Sequence, residues 1–195
     1  MQPHEPIVPP QLAPPGAGLP KLEQFFARVM VRWMARRTDR PTATAIFARE
    51  RDAILHLLEG ASPEKLSTRV LIKRLPGLED SSRYWSALMT VDHLRIVNAE
   101  ITTVIASLGN GKSPSRVVST AAVKPSETVD RSVIAAFEQV CRDFEQMVAG
   151  QANLQTEAVY AHPWFGDLNA AGWHFMTGFH MDLHRKQIER IFAAL

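Results

Sequence analysis

Four long stretches of this sequence repeat apolar residues at every third or fourth position, and each is bounded by glycine, proline or a capping residue. That period belongs to amphipathic helices. The first runs from about Thr42 to Leu58, with Phe47, Ile54 and Leu57/Leu58 facing inward and Gly60 as the stop. The second covers about Ser81 to Leu108 and ends at Gly109 and Gly111; the third covers about Val129 to Ala149 and ends at Gly150. The last begins after Asp167 or Asn169, either of which can cap it, and continues to the C-terminus. Arg69–Ile72 and Arg116–Ser119 are the only segments that read as brief extended pieces. The expected fold class is therefore all-α, with residues 41–195 forming a four-helix bundle, the economical way to bury four apolar stripes. The connections are long for a bundle, about 20 residues each in two cases, so consecutive helices are free to run parallel.

The chain ahead of the bundle reads differently. Seven of the 13 prolines lie in residues 1–20, which predicts an extended, disordered tail. Residues 21–40 carry a short amphipathic helix over Lys21–Arg37, with Leu22, Phe25, Phe26, Val29, Met30, Trp33 and Met34 at helical spacing and Arg28, Arg32 and Arg36 lining the opposite side. This segment holds six basic and two acidic residues, a local surplus of four, whereas residues 41–195 hold 16 and 17. Packing of its apolar face against the bundle or a second copy, as in a homodimer, is the favoured reading over an interfacial membrane helix or nucleic-acid contact. A net charge of +2 does not make nucleic acid the expected partner. No run approaches the length of a membrane-spanning helix, no leader is apparent, and a single cysteine, Cys141, suits a reducing compartment, so the expected location is cytoplasmic. Cys141 reads as a buried structural thiol in preference to a nucleophile.

The densest chemical signal is in the last helix. His180 and His184 are four apart and share the stripe formed by Trp173, Met176/Thr177, Gln187/Ile188 and Ile191, which should face the core. Two buried imidazoles are costly unless partnered, and a shared metal ion satisfies both as neutral ligands. In the second helix, Trp85, Met89, His93, Ile96/Val97, Glu100 and Val104 share a face, which puts a third histidine toward the core. Three imidazoles from two packed helices would cover one side of an ion and leave a position open, the layout of a catalytic site. Glu100 is a candidate general base, an acceptor behind a ligand histidine or an additional ligand, beside the reading of a satisfied or rim-exposed carboxylate, and Gln187 is a candidate for orienting a ligand histidine. His174 projects away from the stripe, and His162, ahead of Pro163, reads as shaping the approach to the last helix.

His93 in Val91-Asp92-His93-Leu94, then His162-Pro163-Trp164-Phe165-Gly166, then His180-x-x-x-His184-x-x-Gln187 together resemble the DinB/YfiT-like superfamily of metalloenzymes over roughly residues 42–195. The resemblance implies a four-helix bundle with up-down-down-up connectivity and a three-histidine divalent metal site, onto whose ligands His93, His180 and His184 map. It also implies thiol-dependent transferases and isomerases among the relatives, so that a low-molecular-weight thiol joins Zn²⁺, Ni²⁺ or Fe²⁺ as an expected cofactor. Histidine ligation does not choose among these metals.

Other motifs carry less. His180-Met181-Asp182-Leu183-His184 lacks the glutamate a zinc protease uses as base, and Gly109-Asn110-Gly111-Lys112-Ser113 follows a helix, has Ala106 where a phosphate loop needs its first glycine, and precedes Pro114. The leading expectation is a metal-dependent transferase or hydrolase acting on a small molecule. The alternative is a non-catalytic, stress-associated metal- or ligand-binding protein.

Overall fold

The computed structural model describes residues 10–115 and 119–195, so the start of the tail and most of the expected extended piece at 116–119 lie outside it. Helix α1 spans Lys21–Arg37 and α2 Arg40–Leu58; after a one-turn helix α3, Pro63–Ser67, strand β1 (Val70–Leu71) pairs antiparallel with β2 (Tyr84–Trp85). Helix α4 follows over Ala87–Gly109 and α5 over Ser132–Gly150, then a hairpin of β3 (Tyr160–His162) and β4 (Gly166–Leu168), and finally α6, Ala170–Ala193. Side chains close the first turns of three long helices: Asp39 accepts from Thr42 N–H at the start of α2, Ser86 from Met89 N–H at α4, and Asn169 from Gly172 N–H at α6.

The four long bundle helices match the expected ones, except that α5 begins at Ser132 instead of about Val129 and the start of α4 shifts further. Ser81–Trp85 was expected inside the second helix, but Asp80–Ser82 forms a 3₁₀ turn and Tyr84–Trp85 pairs with β1, so α4 begins only at the Ser86 cap. Two of the long connections, between α2 and α4 and between α5 and α6, carry short paired strands of their own. Strands this short show no alternation in sequence.

Contacts fix the helix directions. Asp92 accepts from the Ser126 N–H, Asn98 meets Cys141, and Gly109 lies beside Gln151, so α4 and α5 run parallel. Thr44 meets His174 and Glu50 meets Arg185, so α2 and α6 are also parallel. Arg40 bonds Gln151 O and Val148 O while Arg131 reaches Ala61 O, which makes α2 antiparallel to α5. Gln187 bonds Ser82 O and His180 meets His93, so α4 and α6 oppose one another. The order is up-down-down-up.

Between α2 and α6 the backbones come close at Gly178, where an added Cβ would stand 2.8 Å from Ile46 Cγ2 and 3.2 Å from Phe47 N. A Gly178→Ala variant gains up to about 1 kcal/mol in helix propensity but incurs an overpacking cost of about 1–3 kcal/mol. A net destabilisation of up to about 2 kcal/mol is expected in urea denaturation; a raised midpoint would contradict the close approach.

The segment ahead of the bundle is not a free tail over its described part. The Gly16 and Gly18 N–H groups donate to Glu79 Oε1 at 3.0 and 2.9 Å, Ala13 N–H donates to Asp80 Oδ2 at 2.8 Å, and Leu19 is buried. Within this proline-rich stretch Ala17 N–H turns back to Pro14 O, and two carboxylates supply the partners for the N–H groups of Ala13, Gly16 and Gly18. Helix α1 also departs from expectation: the side packed on α6 is made by Ala27, Val31, Met34 and Ala35, while Leu22, Phe25, Phe26, Val29, Met30 and Trp33 are exposed. The narrow side of small residues is the one that fits against the bundle, so the arginine row lies beside the large apolar residues instead of behind them. No helix among the described residues is long and apolar enough to cross a membrane.

Candidate metal centre

Helix α4 contributes His93 within its first two turns, and α6 contributes His180 and His184 from its middle. Because the two helices are antiparallel and packed together, the three imidazoles meet. His180 Nε2 lies 3.3 Å from His93 Nε2 and 3.1 Å from His184 Nε2, and one nitrogen from each ring lies within 4.8 Å of the others. His93 and His184 are buried and His180 is partly so.

The outer nitrogens determine which way the lone pairs point. His93 Nδ1 lies 2.7 Å from the Val123 carbonyl, which can only accept, so its proton sits on Nδ1. Gln187 Nε2 donates to Ser82 O at 2.8 Å, which turns Oε1 toward His184 Nδ1 at 2.7 Å and places that ring's proton on Nδ1 as well. Both rings therefore aim an unprotonated Nε2 at His180. One neutral histidine has a single proton to offer, so the three nitrogens cannot all satisfy one another. His180 Nδ1 is buried with no hydrogen-bond partner among the described residues. This donor set fits a cation of the size and softness that imidazole ligates.

The electrostatics keep the rings neutral. Burial is the main cause holding His93 down at about 4, with the Lys124 ammonium adding to it and the Val123 carbonyl opposing. Burial and then the neighbouring histidines push His180 and His184 well below the ordinary histidine range. Trp85, in β2, packs its ring against His93 and stacks on His184, with centroids at 5.2 and 6.3 Å.

The triad opens on a cavity of about 130 Å³ whose walls are largely apolar, among them Leu19, Ile101, Trp164, Phe165, Met176 and Phe179. Glu100 and His162 line it too. His162 accepts from Trp164 N–H at Nδ1 and stacks on Phe165 at 4.5 Å, and burial holds it down at about 3. Lys124 also lines the cavity, yet its three hydrogens are engaged by Glu79 Oε2, Ser81 Oγ and Ser82 Oγ at 2.6, 2.8 and 3.0 Å. Burial of Glu79 opposes ionisation, but the bonds from Lys124 and from Gly18 outweigh it and hold the carboxyl below its usual range. One carboxylate thus ties the cavity wall to the N-terminal segment. Periodicity did not single out this pair, because charges 45 residues apart in sequence read as solvated.

The remaining expected residues fall elsewhere. His174 is buried toward α2, 3.3 Å from Thr44 Oγ1, away from the triad. Cys141 is fully buried beside Asn98, and burial pushes its thiol up to about 12, which makes it a poor nucleophile.

Comparison with known proteins agrees with this architecture. The crystal structure of TT2238, described as a four-helix bundle protein, is similar with a TM-score of 0.54 at 25% identity, covering 75% of this chain and 94% of that one. No curated protein matches. The sequence pattern of the DinB superfamily matches residues 46–188, from within α2 to near the end of α6, leaving the N-terminal segment and α1 outside. With well over half of its length so matched, this chain belongs to the DinB superfamily.

Proposed function

We propose that the protein is a divalent-metal-dependent enzyme acting on a small molecule, either a transferase that uses a low-molecular-weight thiol or a metal-assisted hydrolase. His93, His180 and His184 would hold the ion. The observation that carries this reading is the pair of inward-facing lone pairs on His93 and His184, each fixed by a hydrogen bond at Nδ1. A zinc, nickel or ferrous ion bound there supplies Lewis acidity that lowers the pKa of water or a thiol toward neutrality. The protein's own groups do the rest. Val123 O and Gln187 hold two rings in orientation, and the apolar walls keep bulk water from the reacting atoms. Glu100, on the same wall, is the carboxylate we assign to taking the nucleophile's proton. Thiol transfer is preferred over hydrolysis on the strength of the superfamily resemblance, and a reducing, cytoplasmic location suits a thiol co-substrate.

The test is a panel of thiol-conjugation and of ester and amide hydrolysis assays on untagged protein loaded with each metal. Once a turnover is found, Glu100→Gln is expected to lower kcat by about 10²- to 10⁴-fold with metal content unchanged. Inactivity across all thiols and metals would leave a non-catalytic metal-binding protein.

A further inference from the structure

Helix α1 carries Leu22, Phe25, Phe26, Val29, Met30 and Trp33 at 45–77% exposure, although it is already anchored by its other side. Val31 and Ala35 are buried against the bundle, Glu23 bonds Arg74 and the Gly77 N–H, and Arg28 Nε donates to Trp164 O. The large apolar residues are therefore not the surface by which α1 packs on its own domain. At helical spacing Leu22, Phe26, Val29 and Trp33 fall along one line, with Phe25 and Met30 on either side. A contiguous apolar patch of this size on one helix marks an interaction surface.

Its charged neighbours narrow the occupant. Lys21, Arg36 and Arg37 are exposed beside the stripe, whereas Arg28 reaches back to Trp164 O and Arg32 lies partly covered against Gly166, and the one acidic residue of the helix, Glu23, is turned inward and paired. Arg37 lies over the Trp33 ring at 4.5 Å, so even the aromatic residue at the end of the stripe has a cation beside it. We propose that α1 docks the protein on an anionic lipid surface, with the stripe in the boundary between headgroups and acyl chains and the cations at the lipid phosphates. At 17 residues the helix is roughly 25 Å long and lies along the surface without spanning it. A second copy suits the face less well, since joining two such stripes gathers two sets of cations around one contact with no outward acid on either helix.

The test uses the full chain with vesicles of phosphatidylcholine alone and of phosphatidylcholine mixed with phosphatidylglycerol. Co-sedimentation is expected with the anionic vesicles and not with the neutral ones, and it should weaken as salt is raised. Phe25→Ser/Phe26→Ser/Trp33→Ser and, separately, Arg36→Glu/Arg37→Glu should each reduce binding by about tenfold or more. Both sets alter side chains on the outer side of α1, so thermal midpoint and metal content should match the wild type, which separates lost docking from lost folding. Failure to bind anionic vesicles overturns the proposal. So does a stable dimer by light scattering that the triple serine variant dissociates, because the stripe would then belong to a second copy.

Discussion

A His180→Ala/His184→Ala variant is expected to bind no zinc, nickel or ferrous ion at a concentration that loads the wild type with one ion per chain. Losing an outer hydrogen-bond partner of a ligand costs about 10- to 100-fold in affinity, and removal of two ligands should exceed that. Thermal stability gives an independent readout. At an ion concentration about 1,000 times the Kd, the wild type should gain about 4 kcal/mol, while the variant should gain nothing. The single variant Gln187→Leu, which leaves all three imidazoles in place but frees the His184 ring, should fall between them. Equal metal content in wild type and double variant would remove the metal reading altogether, enzyme and binder alike.

Acid should unfold the metal-free protein well before its carboxylates titrate. His93 and His174 are held down at about 4 and His162 at about 3, chiefly by burial, and His180 and His184 lie well below the ordinary value. Above about pH 6.5 these rings are neutral in both the folded and the unfolded chain and contribute no pH dependence. Below it the unfolded chain takes up protons that the folded one refuses, so stability falls as the pH drops from about 6.5 toward the depressed values. Each such histidine costs about 1.4 kcal/mol per pH unit, so His93, His162 and His174 alone remove about 6 kcal/mol by pH 5. That rivals the whole stability of many domains. Groups such as Glu79, whose carboxyl is held low, lose their contribution only further down, below about pH 4.5. Urea denaturation at pH 7 and pH 5 checks this, and equal midpoints would refute it. Added metal should steepen the loss, because protons compete for the same lone pairs.

The parts legible in sequence were those carried by side-chain period and by caps. Asn169 as a cap, Leu58 as the last residue of a helix and the four-residue spacing of His180 and His184 all have a local signature. The bracing of the triad has none. Val123 and Ser82 act through backbone carbonyls, which any residue would supply, and only the fold brings them to the rings. The start of α4 was misplaced because Trp85 extends the stripe of Met89 and His93 back by a turn, while Tyr84 and Trp85 pair instead with β1. Helix α1 was legible as a helix but not in its orientation: the aromatic side looked like the one to bury, yet Ala27, Val31 and Ala35 allow the closer approach.

The triad and its braces are drawn from Ser82, His93, Val123, His180, His184 and Gln187, more than half the length of the polypeptide. As the chain emerges from a ribosome, a single imidazole of the three is available until α6 has been made and has docked. Ion capture, on the reading given above, is therefore a post-translational event that waits for the finished bundle. A truncated or misfolded product has no complete nest of nitrogens with which to scavenge metal from the cell.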